Sequence, residues 1–66
     1  MKNFIKIERA RHNLTQQDLA DKVSVSRQTI NSIEAGKYVP STVLALKIAR
    51  VFELPLEEIF ELEEGD

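Results

Sequence analysis

Cysteine is absent from this 66-residue chain. That absence excludes a disulfide framework and a thiolate metal site. Glycine occurs only twice, at Gly36 and Gly65, so no glycine-rich phosphate loop exists. There is one histidine, His12, and nothing in the pattern supplies it with a nucleophile or an orienting acid, so an enzyme is not expected. The carboxylate pairs Glu57/Glu58 and Glu63/Glu64 are sequence neighbours, and nothing in the pattern would drive their pKa values apart. No apolar run approaches the roughly 20 residues that cross a bilayer. The N-terminus lacks a secretory h-region, which leads us to expect a cytoplasmic protein. Internal repeats and low-complexity segments are also missing. No cofactor, metal or small-molecule ligand is implied.

What is present is enough for one folded domain over residues 1–66. The hydrophobic fraction is 42%, ordinary for a packed domain and too high for a disordered one. A chain this short buries only about 60% of its unfolded surface, which leaves no room for a deep substrate cavity. The net charge of −2 conceals a division. Residues 1–56 hold nine bases against five acids, a net +4, and residues 57–66 hold six acids and no base. The body is therefore basic and the tail, residues 61–66 above all, is acidic.

The apolar spacing predicts an all-α architecture of five helices. The first spans about 3–12 and has an imperfect stripe; Asn13 offers a left-handed end. Thr15 caps a second helix from Gln16 to Val23, with Asp18 completing a short capping box. Ser24-Val25-Ser26 reads as a tight turn. Ser26 caps a third helix, Arg27 to Ala35, which Gly36 ends. Pro40 forbids helix at Val39, and Ser41 caps a fourth helix, Thr42 to Glu53. That helix carries apolar residues around much of its circumference, so Val43, Leu46, Ile48 and Phe52 are expected in the core with Ile30 and Ile33. Pro55 leads into a short fifth helix, Leu56 to Phe60. The tail beyond it is expected to fray, and a lone short strand near 60–62 is the alternative.

Residues of about 16–35 thus form two helices across a tight turn. Leu19, Val23, Val25, Ile30 and Ile33 face inward, and Ala20 is small enough to let the helices cross closely. The outer face of the second of these helices is left with Arg27, Gln28, Thr29, Asn31 and Ser32. Arg matches O6 and N7 of guanine, Gln and Asn match N6 and N7 of adenine, and a Thr methyl matches thymine. These five residues are the candidate base readers. Gln16, Ser26, Lys37, Tyr38 and Ser41 flank them and are candidate phosphate contacts, which position a protein without reading sequence. His12, Lys47 and Arg50 read as surface residues.

Several runs occur together in a characteristic order: Leu14-Thr15-Gln16, Asp18-Leu19-Ala20, Val25-Ser26-Arg27-Gln28-Thr29-Ile30, Ile33-Glu34, Gly36-Lys37 and Pro40-Ser41. They are followed by Ala45-Leu46-Lys47-Ile48-Ala49 and Leu56-Glu57-Glu58-Ile59-Phe60. In that order the chain resembles, over nearly its whole length, the XRE/Cro-like helix-turn-helix family, the lambda-repressor-like fold. The resemblance implies a compact five-helix DNA-binding domain and a homodimer on a two-fold operator. It implies that Gln16 touches phosphate, that Arg27, Gln28 and Ser32 face bases, and that Arg9 pairs with Glu34. Similar proteins use their last helix as a dimer seam, which here assigns Leu54, Leu56, Ile59, Phe60 and Leu62. Three positions depart from the family: Ser24 stands where glycine is common, Glu8 where an apolar residue is common, and Pro55 where a capping residue is usual.

The expected function is sequence-specific DNA binding by a transcriptional regulator, with a repressor favoured over an activator. The alternative is a protein-interaction module on the same fold, an antitoxin or adaptor, for which the acidic tail and apolar last helix speak. Double-stranded DNA and a second copy of the chain are the expected partners, and no membrane is.

Overall fold

The computed structural model describes all residues, Met1–Asp66. Its elements are β1 (Lys2–Asn3), α1 (Ile5–Arg11), α2 (Gln16–Val23), α3 (Arg27–Glu34), α4 (Thr42–Phe52), a 3-10 turn (Leu56–Glu58) and β2 (Phe60–Glu61). None of the helices is long and apolar enough to cross a membrane.

Three of the four helix starts are written in the sequence. Thr15 accepts from the Asp18 N–H while its own N–H donates to the Asp18 carboxylate, a closed capping box. Ser26 accepts from the Thr29 N–H and Ser41 from the Leu44 N–H. All four helices also end alike. Asn13, Ser24, Gly36 and Glu53 take positive φ of 55°, 60°, 75° and 55°. The next N–H then reaches back five residues: Leu14 to Arg9, Val25 to Ala20, Lys37 to Ser32 and Leu54 to Ala49. This closure satisfies carbonyls that the helix would leave open. Only one of the four left-handed residues is glycine.

The core is a single cluster of thirteen buried apolar residues. α2 gives Leu19, Ala20 and Val23, α3 gives Ile30 and Ile33, and α4 gives Leu44, Ala45, Ile48, Ala49 and Phe52. Ile5 joins from α1, and Ile59 and Phe60 close the far side. Val25 in the turn packs against this cluster.

Three expectations are corrected. There are four α-helices rather than five: the last apolar segment makes one 3-10 turn and then extends into β2. β2 pairs antiparallel with β1, with Lys2 opposite Glu61 and Asn3 opposite Phe60, and the Phe4 N–H donates to the Ile59 carbonyl. The start of the chain is therefore strand, and α1 begins only at Ile5. Second, the tail is tied down. The Met1 ammonium lies 3.3 Å from Glu63 and 3.2 Å from Asp66. Third, α4 buries one face only. Leu44, Ala45, Ile48, Ala49 and Phe52 face inward at helical spacing, whereas Val43 and Leu46 are 64% and 53% exposed.

α1 explains its own irregular pattern. Glu8 is buried, where an apolar residue is common in similar proteins, yet its carboxylate reaches Arg11 Nη1 at 2.9 Å. The stem packs inward while the charged head finds a surface partner. His12 is exposed, with its ring tilted against Phe52 at 5.1 Å.

Candidate nucleic-acid interface

The candidate recognition surface is the outer side of α3. Its inner side is fixed by Ile30 and Ile33, both buried. Helical spacing then sends Arg27, Gln28 and Asn31 outward, and all three are exposed. Their side chains take no part in the hydrogen bonds that the chain's own side chains make. Thr29 differs: it is half-buried, and its hydroxyl lies 3.0 Å from Ser26 Oγ. Ser26 is thereby occupied twice, by the Thr29 N–H and the Thr29 hydroxyl. Ser32 is half-buried.

The structure brings part of this set together. A shallow cleft of about 280 Å³ is lined by Gln28, Thr29, Ser32, Lys37 and Tyr38. A neighbouring cleft of about 350 Å³ shares Thr29 and Tyr38 and runs to Ser41 and Lys47. Together they form a trough from the recognition helix to the start of α4. Base-edge donors and acceptors line one end, and a cation, a phenol and a capped helix start line the other. Arg27, Asn31, Gln16 and Ser26 lie outside these clefts. Lys47 is exposed, as expected of a solvated face, and it also lines this trough.

The opposite end of α3 is an ion-pair hub. Arg9 grips Glu34 with two bonds, Nε to Oε2 at 2.7 Å and Nη2 to Oε1 at 3.0 Å. Its Nη1 donates to the Leu14 carbonyl at 3.0 Å. Both side chains are largely buried, so the pair is well shielded from solvent. The hydrogen bonds that Arg9 donates to the Glu34 carboxylate raise the Arg9 pKa above its ordinary value. Gln16 Nε2 also donates to Glu34 Oε1, at 3.1 Å. The link from Glu34 to Gln16 had no signal in the sequence, because the two residues are 18 positions apart on different helices.

Of the residues assigned to a dimer seam, Ile59 and Phe60 are buried within the chain's own core. Leu54 and Leu56 are half-buried against that core, and Leu62 is 78% exposed.

Comparison with known proteins identifies the family and the fold. A helix-turn-helix family model matches residues 5–59. An HTH-type transcriptional regulator of Methanocaldococcus jannaschii is 58% identical over the full length of both chains. The HTH-type transcriptional regulator YgzD of Bacillus subtilis is 50% identical over 97% of each. Among solved structures, the SOS-response transcriptional repressor LexA of Eubacterium rectale superposes with a TM-score of 0.79 at 22% identity, over 94% of this chain and 66% of that one. With the capped helix pair, the bared outer side of α3 and these relatives in view, the chain belongs to the XRE/Cro-like helix-turn-helix family of transcriptional regulators.

Proposed function

We propose that this chain is a sequence-specific DNA-binding repressor that acts as a homodimer on a palindromic operator. The observation that carries the reading is the outer side of α3, where Arg27, Gln28 and Asn31 stand exposed and unclaimed by the chain's own hydrogen bonds. A helix presented in this way fits the major groove, with its first residues against base edges. Arg27 and Gln28 read bases, Asn31 and Ser32 extend the contact, and Thr29 offers its methyl group. Gln16, Ser26, Lys37, Tyr38 and Ser41 hold the backbone, helped by the free first-turn amides of α2 and α4.

The net charge of −2 is no obstacle. The acids are concentrated after residue 56, and two of them, Glu63 and Asp66, share the single charge of the Met1 ammonium. Two copies would set their recognition helices one turn apart, about 34 Å. Leu62, with the exposed parts of Leu54 and Leu56, supplies the apolar seam, and Ile59 and Phe60 stiffen it from beneath. A DNA-bound dimer regulates most simply by occupying its operator and excluding other proteins.

Binding selection from a random duplex pool tests the proposal, followed by titration of selected and random duplexes at two salt concentrations. A symmetric motif with half-sites one turn apart is expected, bound more tightly than random duplex. Affinity for both should fall linearly in log–log terms with salt, because bound phosphates release counterions. A protein-interaction module would give no enriched motif and no salt-dependent binding, and that result would overturn the reading.

A further inference from the structure

We propose that Glu34 is a positioning residue for DNA-backbone binding: it holds the Gln16 carboxamide so that this group offers an N–H, rather than its oxygen, to a phosphate. The inference rests on the DNA-binding reading above and adds a residue that touches no DNA.

The geometry is specific. Gln16 is the first residue of α2, and Glu34 is the last residue of α3. The Glu34 side chain is 8% exposed and has both oxygens occupied by Arg9. Its Oε1 accepts a third bond, from Gln16 Nε2. A carboxamide nitrogen carries two hydrogens, and its oxygen carries none. A carboxylate accepts only, so Gln16 must turn its nitrogen toward Glu34. One hydrogen is spent there, and the second remains on the same nitrogen. Phosphate oxygens also accept only, so an unanchored Gln would present the wrong atom in about half of its orientations. Because Arg9 fixes Glu34, and Glu34 ends the recognition helix, the phosphate contact and the base-reading helix share one anchor.

This role makes a prediction whose sign is opposite to that of simple electrostatics. Glu34→Gln removes a negative charge beside a polyanion and leaves Arg9 without its counter-charge, which by charge alone tightens DNA binding. Positioning predicts the reverse, because a Gln at this site can turn its own amide toward Gln16 and no longer dictates that group's orientation. Affinities of the wild type, Gln16→Ala, Glu34→Gln and the double variant would be measured on selected and random duplexes, at a temperature where circular dichroism shows each to be folded. We expect each single change to weaken both duplexes alike, by about tenfold, the value of one charge-assisted hydrogen bond. The double variant should be no weaker than the weaker single. Tighter binding by Glu34→Gln, or losses that multiply in the double variant, would overturn the role.

A second measurement needs no variant. In the wild-type protein, adding duplex should shift one of the two Gln16 side-chain amide proton resonances far more than the other. Equal shifts, or none, would overturn the role even while salt-dependent binding of the wild type upheld the DNA-binding reading. A wild type that binds no duplex would remove both.

Discussion

Arg27 and Lys37 carry the same charge but should fail differently when removed. Arg27 opens the outer side of α3, where its planar fork suits a guanine edge. Arg27→Ala should cost about 1–3 kcal/mol on the selected duplex, relax one base position and leave random duplex much less affected. Lys37 sits at the rim of the trough as a point charge. Lys37→Ala should weaken all duplexes and flatten the salt dependence by about one unit of slope. Parallel titrations on both duplexes separate the two, and equal losses for Arg27→Ala would remove it from the base readers. Ser24 is a different kind of site, since its cost lies in the backbone. Its φ of 60° forces a left-handed conformation on an L-residue with a side chain, at about 1–2 kcal/mol. Glycine relieves that strain and returns part of the gain as unfolded-state entropy. Ser24→Gly should therefore stabilise by about 0.5–1 kcal/mol, a rise in Tm of a few degrees for a domain of this size. A Tm that stays flat or falls would reject the strain.

At the scale of the element, the caps couple stability to pH. The Asp18 carboxylate takes the Thr15 N–H at 2.9 Å, and that bond, with the Thr15 hydroxyl and nearby Lys22, holds its pKa below the ordinary carboxylate value. A depressed folded pKa means stabilisation that is complete above the unfolded pKa and is lost as pH falls through the folded one. Asp18→Asn should therefore narrow the difference in Tm between neutral pH and about pH 2–3. An undiminished acid-side loss would mean that other carboxylates carry it. α4 provides a packing contrast within one helix. Ile48 is 0% exposed and Leu46 is 53% exposed. Ile48→Ala should cost about 2–5 kcal/mol through lost burial and the cavity left behind. Leu46→Lys should stay within about 0.5 kcal/mol. Denaturant unfolding of the two variants checks which face of α4 is structural.

For the whole molecule, the question is what each end of the chain does. Ile59 belongs to the core and Leu62 does not. Ile59→Ala should lower the melting temperature at every protein concentration, by the equivalent of about 2–5 kcal/mol. Leu62→Asp should leave the fold in place and weaken self-association, read by sedimentation equilibrium. An unchanged dimer constant for Leu62→Asp would place the seam elsewhere. The pairing of β1 with β2 locks both ends onto one edge of the helical body. The Asn3 side chain extends that lock by donating to the Ile33 carbonyl at 2.9 Å, at the far end of the recognition helix.

Much of this was legible residue by residue. Thr15, Ser26 and Ser41 announced three helix starts, and Gly36 and Pro40 announced where α3 and the following loop lie. Caps and helical spacing are local, so their physics acts within a few neighbouring residues and can be read from the chain itself. The same spacing bared Arg27, Gln28 and Asn31 on the side of α3 away from Ile30 and Ile33. What lay beyond local reach was decided by packing. Apolar character did not tell Val43 and Leu46 from Ile48, because only the position of α2 and the chain ends assigns a face of α4 to the core. The 3-10 turn and β2 replaced an expected helix because β1, almost sixty residues earlier, offered backbone partners. The hub of Arg9, Glu34 and Gln16 joins three helices through three side chains, and only the folded chain brings its charges and donors within hydrogen-bond distance.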